Sequence, residues 1–225
     1  MSEALSFLFR LFSLKLNRRT MLPRVTMKLG PSVVTLIGDV VDSREAIDRP
    51  RLHRELTEAL TAADDLIPSR RGLEVTVGDE FQAVYAALGP ALDVALRLRL
   101  ALLPGTDVRF GIGRGSVVDL DLARGLQDGP GWWAAREALD HVEQSARGSA
   151  LRTWRTAYRS AEAAPADEAV NAALLCQDQL VGSLSDRARR LLKGLLNGAT
   201  QAQLAQAEGV SRSAVSQQVR SQGIG

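Results

Sequence analysis

The sequence has 225 residues, enough for one large domain or two small ones, and 45% of them are hydrophobic, which suffices for a sizeable core. Its one cysteine, Cys176, excludes an internal disulfide and fits a reducing compartment, so we expect a cytoplasmic protein. No apolar run approaches the ~20 residues that a membrane span needs, so the sequence predicts no membrane-spanning segment.

Charge is distributed unevenly along the chain. Residues 1–30 contain six Lys or Arg and one acid, and residues 184–225 contain six Lys or Arg and two acids. Because the formal net charge is only +2, the part between them is net negative. An acidic body repels DNA and a basic segment attracts it, so we expect the two parts to have separate roles.

The N-terminal extension, residues 1–30, contains the apolar stretch LSFLFRLFSL, which Arg10 interrupts. No small-residue cleavage site follows it, so it makes a poor secretory signal. Two interpretations stay open: a basic amphipathic helix that lies on a membrane or a partner, and an unstructured piece that precedes a true start at Met21 or Met27. We favour the second.

Strand and helix patterns alternate over residues 31–160. The run SVVTLIGDVV is rich in β-branched residues and predicts a central strand over residues 32–41. Apolar residues at helical spacing predict one helix from about residue 50 to 66 and a second from 90 to 103.

Between these helices, LEVTVG and FQAVYAA predict a β-hairpin with Gly78 and Asp79 in its turn. After the second helix, DVRFGIGRGSVV predicts another strand, with Val108, Phe110 and Ile112 on one face. Strand, helix, hairpin, helix, strand is the βαββαβ order of a ferredoxin-like sheet, which gives an α/β (α+β) fold class.

Acidic residues mark the place where the first strand and the hairpin would meet. Asp39 ends the first strand, and Asp79 and Glu80 lie at the hairpin tip. Carboxylates from neighbouring strands can hold a divalent cation, and Mg²⁺ prefers such ligands together with substrate phosphates. An acidic residue in a turn is also common for structural reasons, so at this point both interpretations stay open.

The loop that follows Asp39 is a candidate cofactor-binding loop. Asp42, Ser43 and Arg44 precede a helix and would offer backbone N–H groups, a hydroxyl and a guanidinium to an anion. Further along, GPGWWAAREAL predicts a helix that begins at Pro130. The stretch LRTWRTAYR fits a strand or a helix equally well.

Residues 161–183 predict a linking helix, and residues 184–225 predict three short helices. Ser185, Thr200 and Ser211 suit their N-termini, and Gly198 and Gly209 suit the turns. The third helix carries side chains suited to phosphates and base edges, which makes it a candidate DNA-binding helix: Arg212, Ser213, Ser216, Gln217 and Arg220. A small packing or dimerisation module is the alternative.

The blocks LIGDVVDSRE, VTVGDEFQAVY, RFGIGRGSV and GPGWWAAREAL, followed by the three predicted helices, resemble the SatD family of bacterial proteins over residues 33–225. The body in turn resembles class III nucleotide cyclases and GGDEF diguanylate cyclases, and the C-terminal helices resemble the helix-turn-helix of sigma-70 region 4. By that likeness Asp39 and Asp79 are metal ligands for Mg²⁺ or Mn²⁺, the Val40 carbonyl is a third, and Arg136 is the catalytic arginine that stabilises a transferring phosphate.

Two positions depart from the cyclase pattern. Val75 stands where cyclases carry a base-selecting Lys, and Trp132 stands where they carry an Asn. The resemblance therefore implies that groups for metal and phosphate are kept while base selection is lost.

We expect a DNA-binding regulator whose cyclase-like domain, residues 31–160, senses a metal-nucleotide or another anionic ligand. The alternative is a nucleotidyl cyclase or nucleotidyltransferase that uses Asp-bound Mg²⁺. The expected partners are DNA, a nucleotide ligand and a second copy of the chain, because helix-turn-helix proteins commonly recognise paired half-sites as homodimers.

Overall fold

The computed structural model describes residues 30–121 and 124–224, without the side chains of Arg44 and Ser149. The predicted N-terminal extension lies outside the described residues, except for Gly30. None of the helices within those ranges is long and apolar enough to cross a membrane.

A five-stranded sheet forms the centre of the body, with a two-stranded hairpin beside it. Over the described residues the strands are β1 (Ser32–Val40), β2 (Glu74–Val77), β3 (Glu80–Tyr85), β4 (Val108–Ser116), β5 (Val118–Asp121), β6 (Leu126–Asp128) and β7 (Thr156–Ser160). The order in the main sheet is β2-β3-β1-β4-β7, and β5 pairs with β6.

Seven α-helices lie in the described ranges. They are α1 (Arg49–Leu66), α2 (Leu88–Leu102), α3 (Pro130–Ala146), α4 (Pro165–Ser183), α5 (Asp186–Leu196), α6 (Gln201–Glu208) and α7 (Arg212–Gln222). Two 3₁₀ turns, Ser43–Glu45 and Ser149–Leu151, complete the set.

The ferredoxin-like prediction is confirmed by the strand order itself. β1, α1, β2, β3, α2 and β4 follow one another along the chain, and β3 and β4 both pair antiparallel to β1. The ambiguous stretch around Trp154 continues into strand β7, which extends the sheet by pairing parallel to β4.

The two faces of the sheet are covered by different helices. Side chains of β1, β3 and β4 pack with those of α1 and α2 in the main core, where Val108, Phe110 and Ile112 are fully buried as expected. Helix α3 covers the opposite face above β1, β4 and β7, with Ala135 and Leu139 packed on Ile37.

Helix α3 lies unusually close to β4 because the strand presents glycine at every second position of that face. A Cβ atom at Gly111 would be 2.1 Å from the carbonyl oxygen of Ala135, and one at Gly113 would be 2.2 Å from that of Gly131. The buried Thr35 hydroxyl also donates to the Gly131 carbonyl, at 2.9 Å, and helps to hold the start of the helix on the sheet.

Helix α4, which occupies most of the predicted linking segment, also packs against β7. Its Asp178 is 1% exposed, forms an ion pair with buried Arg99 at 2.8 Å, and accepts hydrogen bonds from the backbone N–H groups of Arg155 and Thr156. Burial raises the pKa of the Asp178 carboxyl even though Arg99 and these N–H groups favour its charged form.

Helices α5, α6 and α7 form a C-terminal head with its own small core, built on Leu191, Leu204, Ala205, Val215 and Val219. Arg97 of α2 connects this head to the body. Its guanidinium donates to the Leu196 carbonyl oxygen at 2.9 Å and to the Asn197 side chain at 2.7 Å, at the C-terminal end of α5. The body therefore caps a helix of the head.

Candidate functional site

Asp39 lies at the end of β1, opposite Arg109 in the ladder with β4. The Arg109 Nε donates to one Asp39 oxygen at 3.0 Å, and Nη2 donates to the other at 2.7 Å. Burial raises the pKa of the Asp39 carboxyl, and the nearby Asp79 adds to that, whereas Arg109 opposes it. The pair is a two-pronged guanidinium–carboxylate contact, which fixes both side chains.

Asp79 and Glu80 approach the end of β1 from the hairpin. The Val40 N–H donates to an Asp79 oxygen at 3.3 Å, which ties the tip of the hairpin to β1. Glu80 forms an ion pair with Arg136 of α3 at 2.7 Å. The structure thus brings together all the sequence-predicted metal residues, Asp39, Val40, Asp79 and Glu80, with Arg136 held by Glu80.

Two further acids of α3 complete this cluster of charges. Glu143 lies 3.9 Å from Arg109 Nη1. Burial raises the pKa of the Asp140 carboxyl, the charges of Glu143, Glu80 and Glu137 raise it further, and Arg136 lowers it. The sequence prediction missed Asp140 and Glu143, although their spacing from Arg136 places them on its face of the helix.

The predicted anion loop opens in a different direction. Asp42 has a left-handed backbone conformation with φ of 54°, and Ser43 begins the 3₁₀ turn. The loop borders a cavity of about 630 Å³, and the described side chains of its wall include five acids and two arginines, Arg51 and Arg155. The predicted Arg44 side chain lies outside the described part of the structure. Asp39 and Asp79 are not among the residues that line this cavity.

The carboxylates at the end of β1, as arranged, do not fit a divalent cation. Both Asp39 oxygens accept from Arg109, and Asp79 accepts from a backbone N–H. Over residues 30–121 and 124–224, no three His, Cys, Asp or Glu side chains converge as a metal-binding group.

The exposed face of α7 collects four of the five predicted DNA-binding residues. Ser213, Ser216, Gln217 and Arg220 follow the i, i+3, i+4, i+7 spacing of one helix face, opposite the buried Val215 and Val219. Arg212 lies at the first position of the helix, beside this face and exposed.

Arg212 and Arg220 form no ion pair within the described part of the chain. Arg187 and Arg190 both contact Glu208, and Arg189 contacts Asp186. The unpaired cations of the head therefore include the two on α7.

The strand order defines a ferredoxin-like α/β domain, with a charged cluster at the end of β1. A comparison with protein families matches residues 33–225 to the SatD family. The chain therefore belongs to the SatD family.

Solved structures that match this chain at low identity include cyclase domains. They include the guanylyl cyclase domain of the RhoGC fusion protein from Blastocladiella emersonii, with 17% identity and a TM-score of 0.41 over 48% of this chain and 74% of that one. The GGEEF domain of a diguanylate cyclase from Vibrio cholerae has 13% identity and a TM-score of 0.38 over 50% of this chain and 77% of that one. Among curated proteins, none matches the sequence.

Proposed function

We propose that this SatD-family protein is a DNA-binding regulator whose C-terminal head inserts α7 into the major groove. The observation that carries the proposal is the polar face of α7, where Ser213, Gln217 and Arg220 are exposed together and Arg220 forms no ion pair with the described residues. Gln can recognise adenine through two hydrogen bonds, and Arg can bind guanine or phosphate.

The connection between α6 and α7 supports a helix-turn-helix. Thr200 and Gln203 form a reciprocal capping box at the start of α6, and Gly209 ends that helix with φ of 64°. Ser211 accepts from the Ala214 N–H and begins α7. A short turn that contains glycine and holds two helices at a fixed angle is the motif by which many regulators present a recognition helix.

The charge distribution supports the same proposal. Arg212 and Arg220 lie on a basic segment attached to an acidic body, so the head is the part of the chain that a phosphate backbone attracts. A single head is expected to bind at the ~10⁻⁴–10⁻⁶ M level of non-specific complexes. We therefore propose that a homodimer places two heads on one duplex.

The body is the proposed sensor of a nucleotide or another anionic ligand. A cavity of about 520 Å³ lies between α1, α2 and α5. Its wall contains Arg51, which pairs with Glu55, together with Glu58, Arg97 and Lys193. Because Arg97 belongs to the body and Lys193 to the head, a ligand in this cavity would contact both parts. The Arg97 contact to the end of α5 then offers a route by which the ligand changes how the head is held.

The enzyme alternative, nucleotidyl transfer or cyclisation, takes second place. The charge of Asp79 acts on Asp39, which favours it, but the cation that the chemistry needs competes with Arg109 for both Asp39 oxygens. Arg136 is also held by Glu80 rather than left for a phosphate.

The test is the salt dependence of DNA binding, measured by fluorescence anisotropy with a labelled duplex. Replacing Arg220 with Ala should weaken binding to every sequence and reduce the slope of log K against log salt by about 1. Arg54→Ala removes the same charge from an exposed site on α1 of the body and should leave the slope unchanged. Equal slopes for all three proteins, or no binding by the unaltered chain, would contradict the proposal.

A further inference from the structure

The contact between Arg109 and Asp39 occupies the place that a cation would take at the end of β1. Nε and Nη2 of one guanidinium meet the two oxygens of one carboxylate, at 3.0 and 2.7 Å. Because each Asp39 oxygen already accepts a hydrogen bond from the guanidinium, neither is free to bind a cation in that direction.

The backbone and the surrounding acids hold Arg109 there. Asp39 and Arg109 are directly opposite in the antiparallel pairing of β1 with β4, so their side chains rise from the sheet together. The Arg109 side chain is 15% exposed, and Glu143 of α3 lies 3.9 Å from its remaining Nη1 atom. A guanidinium cannot lose its proton, so its positive charge at this position is permanent.

We infer that Arg109 replaces the divalent cation of this site, so that Asp39 and Asp79 do not bind Mg²⁺ or Mn²⁺ in this protein. A divalent ion beside Asp39 would have to displace a guanidinium from a largely buried contact, and would meet its repulsion if it remained. Two of the negative charges at the site are neutralised by arginines of the same chain: Arg109 pairs with Asp39, and Arg136 pairs with Glu80. Any ligand of the body is then bound without a metal at this place.

Arg109 is then the residue that excludes the ion. Removing the Arg109 guanidinium frees both oxygens of Asp39, beside the Asp79 carboxylate whose charge already acts on it. One or two carboxylates, completed by water, are an ordinary ligand set for a hard divalent ion. Arg109→Met should therefore create a metal site at the end of β1.

The experiment measures binding of Mn²⁺ alone to the full-length protein, from the electron paramagnetic resonance signal of the free ion. The unaltered protein should show no binding that depends on Asp39. Arg109→Met should bind Mn²⁺ at least about tenfold more tightly, and Asp39→Asn added to it should abolish that binding. Arg114→Met is the matched control, since it removes an exposed arginine of the same strand and should bind no more Mn²⁺ than the unaltered protein.

Two results would overturn the inference. The first is binding of Mn²⁺ by the unaltered protein that Asp39→Asn removes. The second is a folded Arg109→Met protein that binds no more than the unaltered one. Arg109→Gln, which keeps a polar side chain and removes the charge, provides the same comparison if the Met variant fails to fold, with circular dichroism as the check of folding.

Discussion

Asp140 lies on α3 among three other acids and one arginine. Burial raises the pKa of its carboxyl first, the charges of Glu143, Glu80 and Glu137 add to this, and Arg136 opposes it. An acid with a raised pKa contributes stability below its unfolded pKa of about 3.9, and this contribution is lost as pH rises through the folded pKa. The ionised carboxyl therefore disfavours the folded state at neutral pH.

Glu80→Gln should lower the pKa of Asp140, for two reasons. The substitution removes a negative charge that raises this pKa, and it releases Arg136 from its 2.7 Å ion pair, so that the guanidinium can favour the ionised carboxyl. The measurement is carboxyl carbon NMR across an acid titration.

Arg136→Ala should shift the Asp140 pKa in the other direction, above its value in the unaltered protein, because it removes the cation that lowers this pKa. Shifts of the same sign in both variants would show that the cluster is not held together as described.

At the scale of the elements, the contact between α3 and β4 depends on the glycines of the strand. Gly113→Ala places a methyl group 2.2 Å from the Gly131 carbonyl oxygen, a backbone atom that cannot rotate away. We expect a loss of about 1–3 kcal/mol in the free energy of unfolding, measured by urea denaturation.

Gly89→Ala is the matched control for that variant. Gly89 lies in the first turn of α2, and a Cβ atom added there would have no neighbour within 4 Å. Gly89→Ala should therefore leave the free energy of unfolding unchanged or raise it by up to about 1 kcal/mol. Equal destabilisation by the two variants would contradict the close packing of α3 on β4.

The helices and strands were predictable because their hydrophobic residues recur at clear helical or strand spacing. The run from Ser32 to Val40 and the alternation of Val108, Phe110 and Ile112 determine which residues are buried, and the order of the elements then indicates a ferredoxin-like sheet. The segment around Trp154 was ambiguous because its spacing fits two periods, and only the parallel pairing of β7 with β4 selects the strand.

The candidate site was predictable only in part. The strand order alone predicts that Asp39 and Asp79 lie near each other. The contact of Arg109 with Asp39 depends on the register of β1 against β4, which the sequence does not reveal. The Arg99–Asp178 pair joins residues far apart in the chain, and nothing local marks either as buried. The DNA-binding residues of α7 follow from helical spacing and stay a prediction.

At the scale of the whole molecule, an acidic body and a basic head are joined by two structural connections. Helix α4 runs along β7 and leads into the head, and Arg97 of the body caps the end of α5. Such a connection suits a protein in which the state of one part determines how the other is presented. We therefore propose that the head alone binds DNA and that its attachment to the body is the regulated element.

The most direct test of that account is selection of DNA from a pool of random duplexes by the full-length protein at physiological salt. We expect an enriched motif with two-fold symmetry, from two heads on one duplex, and its loss when Gln217 and Arg220 are both replaced by Ala. Arg54→Ala, on the body, should select the same motif. If the unaltered protein enriches no motif, or if the double variant enriches the same one, the assignment of DNA binding to α7 is wrong.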